Sequence, residues 1–186
     1  YYEHNFLLAL ERRTDHLTPG QTQGPRQRLW RIRARQVVLA TGAIERPLVF
    51  SNNDRPGIML ASGVSEYINR YSVLPGSRAV VFTNNDSAYQ TAFDLLEAGA
   101  SVEMIVDARA PGERTARAQE RGLEVINQHV VFDTKGKKRI RGVQLMSLSE
   151  DGRAVSGPIR SVECDLLVVS GGWSPTVQLH AQARGR

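Results

Sequence analysis

RAVVFTNNDSAYQTAFDLLEAGASVEMIVD, residues 78–107, decides how the rest of the chain is read. Arg78 to Thr83 holds a short, continuously apolar run, the pattern of a strand buried on both faces. From Asp86 to Ala98, the residues Ala88, Ala92, Leu95 and Leu96 recur at helical spacing, and Gly99 supplies a C-terminal cap. Ser101 to Val106 is a second strand, ending at Asp107. Strand, tight turn, helix, glycine, strand and acidic residue make one βαβ unit with parallel strands.

The turn of that unit carries the chemical question. In a dinucleotide-binding βαβ unit it reads G-x-G-x-x-G, with glycines for the tight turn, the close approach to phosphate and the packing of helix on strand. Here the three positions hold Thr83, Asn85 and Ala88. Ala88 can serve the third task. Asn85 tolerates positive φ, but its side chain occupies the space of a phosphate. Asp86 is predicted to cap the helix and to be the anion that the helix N-terminus attracts. The turn therefore reads as a capped helix start without phosphate. Asp107 argues the other way. It stands where an acidic residue accepts the ribose hydroxyls of NAD and disfavours a 2′-phosphate. Its alternative role is to cap the turn Asp107-Ala108-Arg109. Asn84, Asn85 and Asp107 are thus candidate cofactor contacts, and the turn remains open between the two readings.

Outside this unit, Asn5 to Arg12 and the segment PRQRLWRIRAR (25–35) predict a hairpin with a long loop from Thr14 to Pro25. In the second strand, period two puts Arg31, Arg33 and Arg35 on one face and Trp30, Ile32 and Ala34 on the other. QVVLA, 36–40, reads as a buried parallel strand ending in Thr41-Gly42-Ala43. Leu60, Val64, Tyr67, Ile68 and Tyr71 predict a helix, stopped by Leu74-Pro75-Gly76. Further along come a helix over Glu113 to Arg121, a strand over Leu123 to Ile126, and an antiparallel ribbon, Val130–Thr134 with Ile140–Leu148, around KGKKRIR. An apolar strand over Val162 to Ser170 leads into Gly171-Gly172-Trp173.

VVLATGA (37–43) and DLLVVSGG (165–172) bracket the βαβ unit. A buried strand ending in Ala-Thr-Gly is typical of two-domain flavin and pyridine-nucleotide enzymes, where small residues let the chain pass close to a dinucleotide. Ala40, Thr41, Gly42, Gly171 and Gly172 are the candidate contacts at these two crossings. The expected fold class is α/β: a Rossmann-like three-layer domain with a parallel sheet plus an antiparallel β ribbon, flanked by parts of a second dinucleotide-binding domain. The expected division is 1–56 for part of the first, FAD/NAD-type domain with its hairpin, 57–164 for the Rossmann-like domain, and 165–186 for the return segment.

Composition narrows the function classes. The 186 residues are 41% hydrophobic and 23% charged, ordinary for a globular chain. No apolar run is long enough to span a bilayer, so no membrane partner is expected. Cys164 is the one cysteine, which fits a reducing, cytoplasmic setting, and it reads as a core residue. His4, His16, His129 and His180 show no metal-ligand spacing. Ser174 lacks a nucleophile-elbow context. Glu45 and Arg46 read as a local salt bridge. No catalytic acid or base stands out. The net charge of +5 gathers in the two basic segments, which lack a recognition helix or stacking aromatics. They read as solvated faces or as a surface for an acidic partner, with no nucleic acid. Both termini are abrupt, and the chain reads as a piece of a longer polypeptide.

The runs RARQVVLATGAIERPLVFSNNDRPGIML and PGSRAVVFTNNDSAYQTAFDLLEAGASVEMIVDAR resemble the α subunit of the heterotetrameric bacterial sarcosine oxidases, with ATGAIERP and TNNDSAY the distinctive pieces. The resemblance covers nearly the whole chain. It implies a fold like the thioredoxin-reductase and glutathione-reductase enzymes, a glycine-rich βαβ motif upstream and a folate-binding-type domain downstream. It further implies a cytoplasmic, hetero-oligomeric oxidase that converts sarcosine to glycine, formaldehyde and hydrogen peroxide. Its NAD lies in the α subunit, mainly on the upstream half. Its FAD and FMN belong mainly to the β subunit and the α/β interface. The alternatives are a stand-alone NAD-dependent oxidoreductase domain that uses TNNDSAY and Asp107, and a non-catalytic module that docks an acidic partner through its basic hairpins.

Overall fold

A computed structural model describes residues 3–183 except 19, 22 and 23. The chain divides into two compact units, 1–44 with 175–186 and 45–174. Its elements run β1 (Phe6–Arg12), β2 (Gln27–Arg33), β3 (Ala43–Glu45), β4 (Ile58–Leu60), α1 (Ala61–Tyr71), β5 (Arg78–Thr83), α2 (Ser87–Glu97), β6 (Ser101–Asp107), α3 (Glu113–Glu120), β7 (Val125–Asn127), β8 (His129–Lys135), β9 (Gly142–Leu148), β10 (Val155–Glu163), β11 (Leu166–Ser170), β12 (Trp173–Pro175) and α4 (Gln178–Gln182).

The unit 45–174 has the expected three layers. Its middle is a parallel sheet in the order β4-β11-β5-β6-β7. Side chains alternate along each strand, so each face takes its own set. Ala79, Val81, Val102, Ile105, Leu166 and Val168 face the helix layer, against Val64, Ala88, Ala92, Leu95 and Ala118. Val80, Phe82, Met104, Val106, Leu167 and Val169 pack with Val131, Ile140, Val143 and Leu145 of the antiparallel layer β10-β9-β8. Burial on both faces is why these strands read as unbroken apolar runs.

The topology positions the candidate site. From β5 the chain steps through α2 to β6 and through α3 to β7, then traverses β8 to β10 and returns as β11 on the other side of β5. Strand order therefore reverses beside β5, so the carboxyl ends of β5 and β11 border the crevice position at which open α/β sheets bind their ligands.

The compact unit runs from Glu45 to Ser174, where 57–164 was the expected span: β11 adds to its sheet, and Leu48 and Phe50 pack against its core. Two strand expectations are corrected. Val162 to Ser170 is not one strand: Val155–Glu163 is the antiparallel β10, and the parallel β11 starts at Leu166. β10 carries Gly157 and Pro158 at a register shift on an outer strand, a place where proline is tolerated and an apolar pattern is weak. QVVLA forms no strand, and Val38 is 90% exposed. Its apolar run has no strand beside it to complete a ladder.

In the other unit, β1 and β2 form the expected hairpin, in register from Phe6↔Arg33 to Arg12↔Gln27. Every residue of β2 is exposed. The apolar and arginine faces also do not separate as expected, because β1 places Leu8 opposite Arg31 and Phe6 opposite Arg33. Among the described residues, no helix is long and apolar enough to cross a membrane.

Candidate functional site

The crevice at β5 and β11 is held by Asn85. Its Nδ2 donates to Ser170 Oγ at 3.0 Å and to the Ser170 carbonyl at 3.2 Å. Its Oδ1 accepts from the Ser87 hydroxyl at 2.6 Å and from the Ser87 backbone N–H at 3.1 Å. The Asn85 backbone N–H donates to Thr83 Oγ1 at 3.0 Å. Two N–H groups that could face a phosphate at this helix start are thus committed to protein acceptors. Asn84 is exposed, with its N–H directed at the Ser170 carbonyl, 3.4 Å away. Trp173 Nε1 donates to Ser87 Oγ at 3.0 Å, so β12 is tied to the same turn.

Asp86 does not cap α2 with its side chain. Asn85 does, through the bonds to Ser87. Asn and Asp are nearly equal as caps, so sequence alone does not separate two adjacent candidates. The Asp86 carboxylate turns to Arg109, 2.8 Å from Nη2.

Arg109 links that carboxylate to Asp107. Its Nε donates to Asp107 Oδ1 at 3.1 Å and its Nη2 to Oδ2 at 2.9 Å, a bidentate fork, while its backbone N–H donates to Oδ1 at 2.9 Å. Tyr89 Oη donates to Oδ2 at 2.8 Å. Asp107 is only 1% exposed, and four donors already use its two oxygens. Its bond to Asp107, together with its bond to Asp86, raises the Arg109 pKa further above the ordinary arginine value. Burial, with the neighbouring Asp107 carboxylate, pushes the Tyr89 phenol up to about 12. A cavity of about 310 Å³ opens beside this network, lined by Asp86, Asp107, Arg109, Gly112, Glu113 and Thr115 among others.

These residues do not fit a dinucleotide at the 83–88 turn. The diphosphate would need the amides that Thr83 and Asn85 hold, and it would meet the Asp86 carboxylate. Ribose hydroxyls would need Asp107, whose lone pairs Arg109 and Tyr89 share. The sequence picked out Asn84, Asn85 and Asp107, with the turn to Arg109 that Asp107 caps, but not Ser170, Ser87, Tyr89 or the guanidinium of Arg109 as their partners. Only Arg109 left a local trace, two residues beyond an Asp that begins a turn.

At the second crossing, Gly171 is buried, and a Cβ there would lie 2.9 Å from the carbonyl oxygens of Arg46 and Pro47. Only glycine lets these segments meet, and they exchange hydrogen bonds: Gly171 N–H to the Arg46 carbonyl at 2.7 Å, Arg46 N–H to the Gly172 carbonyl at 2.8 Å. Glu45 forms no salt bridge with Arg46. Its Oε2 accepts the Ser62 N–H at 2.8 Å in the first turn of α1, where a carboxylate is favoured. In the other unit, Thr41 Oγ1 donates to the Thr176 carbonyl at 2.6 Å, and the Thr176 N–H to the Gly42 carbonyl at 3.0 Å. Ala40, Thr41 and Gly42 are exposed, and nothing lies within 4 Å of a Cβ built on Gly42, whose φ is +66°. The two crossings are thus built differently, one closed by packing and one open. Among the described residues, no three His, Cys, Asp or Glu side chains converge as metal ligands.

Known proteins decide the family. The chain is 47% identical over its full length to the sarcosine oxidase subunit alpha of Corynebacterium sp. (strain P-1), and 43% identical to that of Corynebacterium sp. (strain U-96). The chain belongs to the family of sarcosine oxidase α subunits. It spans about 19% of the length of these two relatives. No protein-family profile matches it. Among solved structures, a NAD-dependent persulfide reductase from A. fulgidus superposes with a TM-score of 0.57 at 16% identity, over 84% of this chain and 29% of that one. T. acidophilum thioredoxin reductase gives 0.55 at 17%, over 74% of this chain and 44% of that one. At such identities the likeness speaks for the fold alone, which is the Rossmann-like fold expected of the sarcosine oxidase relatives.

Proposed function

We propose that the chain is a segment of a sarcosine-oxidising, hetero-oligomeric oxidoreductase subunit, and that its Rossmann-like unit acts there as a scaffold with no dinucleotide of its own. The observation that carries the second part is the double bond of Asn85 to Ser170, backed by the Arg109 clamp on Asp107. The side chains at this crevice satisfy one another, as a ligand would otherwise have to do.

NAD would then be held mainly by polypeptide outside this chain, with Ala40, Thr41 and Gly42 as its approach from this side. The bare, positive-φ Gly42 supports that reading, since it lets a ligand come against the backbone. Gly171 serves by letting the chain after β11 pass close to residues 46 and 47, and Gly172 by adopting a φ of +89°. The group supplies hydride-accepting chemistry when bound; this chain's residues would only position it. FAD or FMN would reside elsewhere in the complex. We assign no catalytic residue here: the carboxylates at the crevice are tied to arginine, and Cys164 is buried, which pushes its thiol up to about 12.

Calorimetry tests this reading. The purified chain should show no micromolar binding of NAD and no sarcosine-dependent peroxide. Micromolar binding abolished by Asp107→Ala would favour the stand-alone NAD-dependent domain.

A further inference from the structure

The turn between β8 and β9 concentrates positive charge. Lys137, Lys138, Arg139 and Arg141 put four cations into five residues, and all three lysines of the chain lie between 135 and 138. With Gly136, the four line a cavity of about 580 Å³, the size of a small-ligand site. The turn is pinned from within unit 45–174. The Arg55 guanidinium donates to the Gly136 carbonyl, the Ile140 N–H to the Pro56 carbonyl at 2.9 Å, and the Arg141 N–H to the Lys135 carbonyl at 2.7 Å. Arg139 Nη2 donates to the Asp165 carbonyl at 3.0 Å, and Ile140 is buried. A Cβ on Gly136 would collide with the Arg139 carbonyl, so glycine is what lets the turn fold back. Pro56 and Asp165 precede β4 and β11, so the turn stands at the amino ends of these strands, away from the Asn85–Ser170 crevice.

Elsewhere in the same unit, arginines find carboxylates without help from outside: Arg70 pairs with Glu66, Arg78 with Glu103 and Glu163, Arg121 with Glu97, and Arg160 with Glu124. Among the described residues, no carboxylate forms an ion pair with Lys137, Lys138, Arg139 or Arg141, although two stand close by. The Asp165 carboxylate is spent on the Ser77 and Arg78 N–H groups and the Ser77 hydroxyl, and Glu163 is spent on Arg78. The backbone N–H groups of Lys137, Lys138 and Arg139 also donate to no acceptor among the described residues. Four like charges on one pinned turn repel one another. Cations and uncommitted amides around a concavity are the donor set of an anion site.

We propose that the Lys137–Arg141 turn binds a small phosphate monoester through its terminal phosphate. A dianionic phosphate offsets two cations and accepts from several donors at once, whereas a carboxylate carries one charge and is satisfied by a single arginine fork. Lysine meets phosphate as a point charge and arginine as a planar fork, and the turn offers both. NAD has no terminal phosphate and is not the ligand. The site goes beyond the scaffold reading and stands whether or not that reading holds.

The test uses the full polypeptide that carries this chain, in its assembled state, with methyl phosphate, dimethyl phosphate and chloride as probes at matched ionic strength. Hydrogen exchange read by mass spectrometry follows the peptide over 135–142. The expected result is saturable protection by methyl phosphate with a Kd of about 1 mM or below. Dimethyl phosphate, a monoanion, should bind at least about tenfold more weakly. Lys137→Ala with Lys138→Ala should abolish the protection while exchange elsewhere matches the parent. Protection that is absent, that dimethyl phosphate or chloride gives equally, or that survives the double variant overturns the site. A zero-length carbodiimide cross-link reports any carboxylate already resting on Lys137 or Lys138. Such a link, formed undiminished in saturating methyl phosphate, would show that the rest of the assembly fills the turn, and it overturns the proposal as well.

Discussion

Asn85 and Ser170 close the crevice between them: one side-chain amide reaches both the hydroxyl and the carbonyl of the serine that ends β11. In an open sheet whose strand order reverses here, those atoms border the place of a ligand. The bond pins the turn after β5 to the end of β11. It also spends the polar groups that a bound diphosphate would use.

Asn85→Ala should therefore destabilise the chain without opening a cofactor site. It removes the cap on Ser87 and leaves Ser170 without its partner, a loss of about 1–2 kcal/mol. Urea denaturation measures it. NAD binding should stay absent, because Asp86 and the Arg109 clamp remain.

Asp107→Ala should be more damaging. Arg109 would lose its fork and Tyr89 its buried acceptor, for about 3 kcal/mol, since breaking a buried pair strands the remaining groups. Asp86→Ala, at the exposed end of the same arginine, should lie within about 1 kcal/mol of the parent. Equal effects from the two variants would contradict the placement of Asp107 in the core.

Stability should fall in alkali. Burial raises the Tyr89 phenol from 10.0 and the Cys164 thiol from 9.0, each to about 12. A group whose folded pKa is raised stabilises fully below its unfolded pKa and loses that contribution as pH rises through the folded one. Unfolding free energy should thus hold steady to about pH 9 and decline toward pH 12. Cys164→Ala should remove the early part of the decline and Tyr89→Phe the later part, both followed by denaturation at stepped pH.

Cys164 should resist thiol reagents in the native chain and react only on unfolding. It is 3% exposed, and its thiolate is disfavoured. Rapid native labelling would show that the base of β11 opens readily.

Much of the fold was legible because its strands are buried on both faces. The run from Ala79 to Phe82 could not be a surface segment, and the Ala88, Ala92, Leu95 spacing fixed the crossover helix. Short or exposed elements were not legible. β4 has three residues, β10 carries Gly157 and Pro158, and QVVLA resembles a strand that finds no ladder. At the site, the departure from the glycine pattern was visible in Thr83 and Asn85, and it pointed to a turn without phosphate. The partners of those residues were not visible. Ser170 lies 85 residues from Asn85 and meets it only because β11 returns beside β5.

The most direct test of the central claim is an NMR titration of the isotope-labelled chain with NAD. The account predicts that the amides of residues 83–88, with Asp107, Arg109 and Ser170, keep their chemical shifts at millimolar NAD. Saturable shifts at Asn85, Ser87 and Arg109 would contradict it, because they would place a nucleotide where the protein's own side chains are held to be.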